Sequence, residues 1–85
     1  MYKLVWDKEA IDDLKSIDRK KAIDLARKVE KQLTKNPNEL GKKLTGRFKG
    51  LYRYRYGDYR IIYQIFKKEI TIVIVRVGHR KNIYD

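Results

Sequence analysis

Three strand-forming runs follow one another in the C-terminal half of the chain: LYRYRY (51–56), YRIIYQIF (59–66) and EITIVIVRV (69–77). Only Gly57-Asp58 separates the first pair, and only Lys67-Lys68 the second. Links this short leave no room for a crossover, so neighbouring strands are expected to form an antiparallel meander. A small sheet cannot bury its own apolar face, and helices must cover it.

The N-terminal half supplies those helices. Tyr2 to Trp6 reads as a short first strand, and Asp7 is a plausible N-cap for a helix starting at residue 8. Ile11, Leu14 and Ile17 then make one apolar stripe of a short helix. Asp18 can cap a second helix, in which Ala22, Ala26, Val29 and Leu33 recur at helical spacing. Asn36-Pro37 ends it, because proline disfavours helical geometry in the residue before it. The tight link at Asp18 makes the two helices a hairpin. Residues 36 to 50, NPNELGKKLTGRFKG, read as a loop. The expectation is a single α+β domain over residues 1–85 in the order β-α-α-β-β-β, a helical hairpin packed on a small antiparallel-dominated sheet.

A chain of 85 residues buries only about 60% of its extended surface, so its core is limited. There is no cysteine and a single histidine, His79. Disulfides, thiolate chemistry and multi-histidine metal clusters are thereby excluded, and neither metal nor cofactor is expected. No run is apolar for long enough to span a membrane, and MYKLVWDKEA lacks the layout of a signal peptide. A cytoplasmic protein is expected.

Charge says more. Lys and Arg number 22 against 11 Asp and Glu, a formal +11. Between residues 41 and 60, Lys42, Lys43, Arg47, Lys49, Arg53, Arg55 and Arg60 face Asp58 alone, a local +6. A polyanion is the natural partner, either nucleic acid or an acidic protein.

If Gly57 and Asp58 form a two-residue turn, Tyr56 faces Tyr59, Arg55 faces Arg60, Tyr54 faces Ile61 and Arg53 faces Ile62. Alternation then puts Tyr52, Tyr54, Tyr56, Tyr59, Ile61 and Tyr63 on one face and the three arginines on the other. Tyr52, Tyr54, Tyr59 and Tyr63 are expected to pack under the helices. Arg55 directly across from Arg60 is informative, since like charges so placed destabilise a sheet. Two explanations stand: the side chains splay into water near Asp58 and Glu69, or a phosphodiester bridges them. In the third strand Ile70, Ile72 and Ile74 share one face, and Thr71, Val73, Val75 and Val77 the other. Being apolar on both faces, that strand should be central. VGHRKNIYD follows it, bringing His79, Arg80, Lys81 and Tyr84 to its end.

The ordered set LTG, LYRYRYGDYRIIY and VGHRKNIY, spread over essentially the whole chain, resembles the RelE/ParE superfamily of toxins, and its RelE-like branch in particular. The resemblance implies the RelE-like, microbial-RNase-type fold. It also implies an mRNA interferase, a metal-independent endoribonuclease that cuts mRNA in the ribosomal A site. The implied partners are the 70S ribosome with bound mRNA and an acidic or amphipathic antitoxin that neutralises the toxin, with operator DNA bound only through that complex. The catalytic positions that match are Arg53 and Arg55 on the strand before the turn, Arg60 in GDYR, Arg80 after V-G-x and Tyr84 near the end. By their charge, Lys42, Lys43, Arg47, Lys49 and Lys81 are added as RNA- or ribosome-binding candidates.

Where the RelE type carries lysines, this chain has Arg53 and Arg55, and guanidinium is a poor proton acceptor. Histidine ordinarily titrates near neutrality, which makes His79 the candidate proton carrier. Two other readings arise within the same superfamily. One is a ParE-like inhibitor of DNA gyrase. The other is a catalytically degenerate toxin that acts only with its antitoxin in operon repression.

Overall fold

The computed structural model describes residues 1–79; Arg80, Lys81 and Tyr84 lie outside the described residues. Strand β1 (Lys3–Trp6) leads into α1 (Lys8–Lys15) and α2 (Arg19–Lys28), which finishes in a π-helical turn at Val29–Leu33. A short α3 (Pro37–Leu40) precedes β2 (Lys42–Lys43), a 3₁₀ turn at Gly46–Phe48, β3 (Tyr52–Tyr56), β4 (Tyr59–Phe66) and β5 (Thr71–His79). The sheet runs β1-β5-β4-β3-β2, with β1 parallel to β5 and every other pair antiparallel. The α+β architecture and the meander of β3 to β5 are as expected, and β5 is indeed interior.

Alternation and helical spacing explain the core. Leu25, Val29 and Leu33 project from the second helix and its terminal turn, and Ala10 from α1, onto Tyr54, Ile61, Tyr63, Ile72, Ile74 and Val77. Ala10, not Ile11, is the buried contact of α1; Ile11 is exposed. Asp18 caps α2 as expected, its carboxylate accepting from the Lys21 N–H at 3.3 Å. Asp7 occupies the cap position of α1 without a side-chain hydrogen bond.

Three features depart from the sequence reading. First, residues 36–50 are more than a loop. Pro37 starts α3, where its missing N–H costs nothing, and Lys42–Lys43 add a two-residue edge strand beside Tyr52 and Arg53. Second, the β4–β5 link is a four-residue turn, so β5 begins at Thr71 and reaches His79. Third, β5 carries a bulge. Ile62 pairs with Arg76 but Tyr63 pairs with Ile74, leaving Val75 as the extra residue. An extra residue reverses the alternation. Val77 therefore turns into the core, against expectation, and Arg76 turns away from it.

Two side chains anchor the sheet to its surroundings. Tyr63 is fully buried and donates its hydroxyl hydrogen to the Pro37 carbonyl at 2.6 Å. The same oxygen accepts from the Gly41 N–H. A Cβ added at Gly41 would fall on that hydroxyl and lie 2.7 Å from Cζ, so glycine is required there by proximity. At the other side, β1 ends opposite Ile74, leaving the next part of β5 uncovered. Asp13 of α1 fills the gap: its carboxylate accepts from the Val77 N–H at 2.8 Å and from Arg76 Nε at 2.9 Å.

Candidate functional site: a basic sheet face

The β3–β4 register is the expected one, with Arg53 opposite Ile62, Arg55 opposite Arg60 and Tyr56 opposite Tyr59. Extending it across the sheet gives two rows on the face away from the helices. One row runs Lys42, Arg53, Ile62, Arg76; the other runs Arg55, Arg60, Gly78. Neighbours within a row stand about 5 Å apart and the rows about 7 Å apart, near the spacing of successive phosphates on a nucleic-acid strand. Five cations thus surround Ile62, which is fully buried although it faces away from the main core.

The rows differ in their support. Arg76 is held by Asp13, with Nε at 2.9 Å and a terminal nitrogen at 3.2 Å from the carboxylate, and by Glu9 at 3.7 Å. Arg60 is half-buried with its Nε shielded from solvent, whereas Arg55 is exposed. Gly78, which has no side chain, ends the second row beside Arg60. Arg76 was not anticipated from the sequence. Strict alternation assigns it to the helix face with Ile72 and Ile74, and only the bulge at Val75 brings it round.

The tyrosines take the opposite face, as expected. Tyr54 and Tyr63 are buried, while Tyr52, Tyr56 and Tyr59 are half-buried against the core. Tyr52 stacks on Tyr63 with ring centres 5.4 Å apart. Burial raises the Tyr54 and Tyr63 hydroxyls above the usual tyrosine range, and neighbouring tyrosines add to it. They are packing groups, and no proton leaves them near neutrality.

His79 pairs with Tyr59 and so lies on the helix side, with the two rings edge to face at 6.0 Å. It lines a recess of about 360 Å³ with Asp13, Ser16 and Ile17. The sheet therefore brings together Arg53, Arg55, Arg60 and Lys42 but puts His79 across from them. Of the remaining loop candidates, Lys43 lines a small recess with Lys42, Phe48 and Arg53. Lys43 and Lys49 border an apolar recess of about 510 Å³ over Leu44, Leu51 and Ile65, and Arg47 lies 5.2 Å over the Phe48 ring. Among the described residues, no group of three or more His, Cys, Asp or Glu side chains converges as a metal site. Likewise no helix among them is long and apolar enough to cross a membrane.

A helical hairpin on a mixed sheet with an arginine-rich face defines a recognisable class. The family model described as the ParE toxin of the type II toxin–antitoxin system parDE matches residues 4–84, and the chain belongs to the RelE/ParE toxin superfamily. Within it, the relation to RelE-type toxins is close. Toxin RelE of Mycobacterium tuberculosis is 31% identical over 83 residues, which span 98% of this chain and 86% of that toxin. Toxin RelG of the same organism is 40% identical over 52 residues; the match spans 61% of this chain and 60% of that toxin's length. Among solved structures, the toxin–antitoxin complex RelBE2 of M. tuberculosis contains a chain that superposes with a TM-score of 0.88 at 29% identity, covering 93% of this chain and 98% of that one.

Proposed function

We propose that this protein is a ribosome-dependent mRNA endonuclease toxin whose arginine face holds the scissile phosphodiester. The observation that carries the reading is the direct opposition of Arg55 and Arg60, flanked by Arg53, Lys42 and Arg76. Like charges opposed across a ladder cost about 0.2–1 kcal/mol. A phosphate between them removes the cost, and guanidinium forks match its oxygens.

In the proposed reaction the ribose 2'-oxygen attacks the adjacent phosphorus and loses its proton. The bond to the 5'-oxygen breaks, and that oxygen takes up a proton. The products are a 2',3'-cyclic phosphate and a 5'-hydroxyl end, without metal or cofactor. Arg53, Arg55 and Arg60 stabilise the charge that grows on the phosphoryl oxygens. Arg80 attends the leaving group and Tyr84 orients a flanking base. His79 remains the proton carrier for a strand that crosses the end of β5, one residue beyond Gly78. The ribosome supplies positioning that this small set of groups lacks. An acidic antitoxin would mask the face, and operator DNA would be bound only through that complex. The RelBE2 assembly, a toxin–antitoxin complex, supports the antitoxin partner. The proposed site of action is the cytoplasm.

The test is to add the protein to a defined mRNA, naked and on translating ribosomes, and to map the cut ends. Arg60→Ala serves as the parallel variant, with circular dichroism to check its fold. Codon-register cuts that require ribosomes and fall at least a hundredfold in the variant support the reading. Near-parental cutting by a folded Arg60→Ala variant sinks the site assignment.

The second reading is a ParE-like inhibitor of DNA gyrase, kept because the matching family model is described as a ParE toxin. A supercoiling assay separates the two. Inhibited gyrase with uncut mRNA would make the arginine face a docking surface.

A further inference from the structure

Arg27, Lys28 and Lys31 of the second helix, all exposed, line an open groove of about 410 Å³ with Gln32, Asp24 and Tyr56. Among the described residues, none of the three cations is in an ion pair. Tyr56 belongs to the helix face, but its neighbour Arg55 points to the other side of the sheet. The groove and the arginine face therefore meet at the tip of the β3–β4 hairpin, one on either side of it.

We propose that this groove binds single-stranded RNA, the segment that flanks the phosphodiester held on the arginine face, so that the bound strand passes around the hairpin tip. The inference rests on the RNA-cleaving reading above. The chemistry of the groove favours RNA over an acidic protein. An amphipathic helix needs a strip of aliphatic side chains to dock upon, and the lining here offers none. It offers instead three cations for phosphates, an amide for a base edge and a ring on which a base can stack. Among the described residues Asp24 is the only acid in the lining, which leaves those residues a net charge of +2.

Two RNA oligonucleotides are the probes, one of about four nucleotides that spans the arginine face alone and one of about twelve that also reaches the groove. Binding is followed by fluorescence anisotropy between 50 and 200 mM KCl. The parent should bind the longer strand more tightly and with a steeper salt dependence. The triple variant Arg27→Gln/Lys28→Gln/Lys31→Gln should lose that gain, its salt slope falling by roughly 2, or about 0.7 per lost phosphate contact. Tyr56→Leu should lower affinity for the longer strand by roughly tenfold and leave the slope unchanged, as expected for lost stacking. A control triple, Lys3→Gln/Lys15→Gln/Lys68→Gln, removes the same charge elsewhere and should keep the length-dependent gain.

Equal losses in both triple variants would overturn the proposal, because net charge alone would then explain binding. So would equal competition by an RNA duplex or by polyglutamate of similar length. The readout is binding and not cleavage, which keeps the two readings separable. Arg55→Gln/Arg60→Gln should abolish cutting yet retain the groove's contribution. A parent that never cuts RNA but shows the groove-dependent gain would refute the function and leave the groove standing.

Discussion

Removing a single oxygen, by Tyr63→Phe, should unlatch the corner that carries the basic edge of the sheet. The hydroxyl is sealed from water, donates to the Pro37 carbonyl at 2.6 Å and accepts from Gly41 N–H. Phenylalanine keeps the ring's packing against Tyr52 but leaves the Pro37 carbonyl and the Gly41 amide without their partner. A lost hydrogen bond that strands a buried group costs about 1–3 kcal/mol. With two groups affected, one of them only half-buried, the expected loss is about 2–3 kcal/mol. For a domain of this size that lowers the melting temperature by roughly 10–20 °C. Gly41→Ala attacks the same contact from the other side and should cost about 1–3 kcal/mol, since its Cβ would collide with the tyrosine tip. Because Tyr63→Phe removes the atom struck first, the double variant should be less damaged than the sum, by at least about 0.5 kcal/mol. Urea titrations of the three variants give the cycle, provided the denaturant slope stays constant. A Tyr63→Phe protein within about 0.5 kcal/mol of the parent, inside the usual range for a neutral surface change, would refute the latch.

The same burial has a pH signature. Tyr63 is held protonated well above its usual 10.0, mainly by desolvation. Its neutral form is therefore favoured in the folded state, and that contribution is full below pH 10.0 and lost as pH rises through the raised folded value. Urea midpoints should hold steady near neutrality and fall above about pH 10, less so in Tyr63→Phe; ultraviolet titration showing Tyr63 ionised at pH 10.0 in an intact fold would contradict this. Asp13→Ala should cost about 2–4 kcal/mol, because it uncovers both the Val77 N–H and the Arg76 guanidinium. Asp13→Asn, which keeps an acceptor for one of them, should lose less, and equal thermal shifts for the two would count against the carboxylate's double role. Arg55→Thr should raise stability by up to about 1 kcal/mol by relieving the pair with Arg60, while cutting RNA cleavage on ribosomes by at least tenfold. Loss of stability together with unchanged cleavage would show that the pair is structural.

The local signals of this chain were sufficient for its first strand, its two longer helices and its last three strands in order, and for one complete ladder. Gly57-Asp58 pins the β3–β4 register, because a two-residue turn leaves no freedom in which residues face each other, and from that register come the arginine pair and the buried tyrosines. The tertiary structure decided everything that depends on non-adjacent segments. Strict alternation sends Val77 outward and Arg76 inward, but Asp13, sixty-four residues before Val77, takes the Val77 N–H, and the bulge at Val75 exchanges the two faces. Lys42 joins the arginine face and Lys43 the opposite one only because a two-residue strand docks on β3, too short a pairing for any periodicity to announce. His79 shows the same limit. Its motif places it beside Arg80 in the chain, whereas its pairing with Tyr59 places it across the sheet from Arg53, Arg55 and Arg60. Composition and spacing determine which side chains alternate, and long-range pairing, through a single extra residue, determines which face they reach.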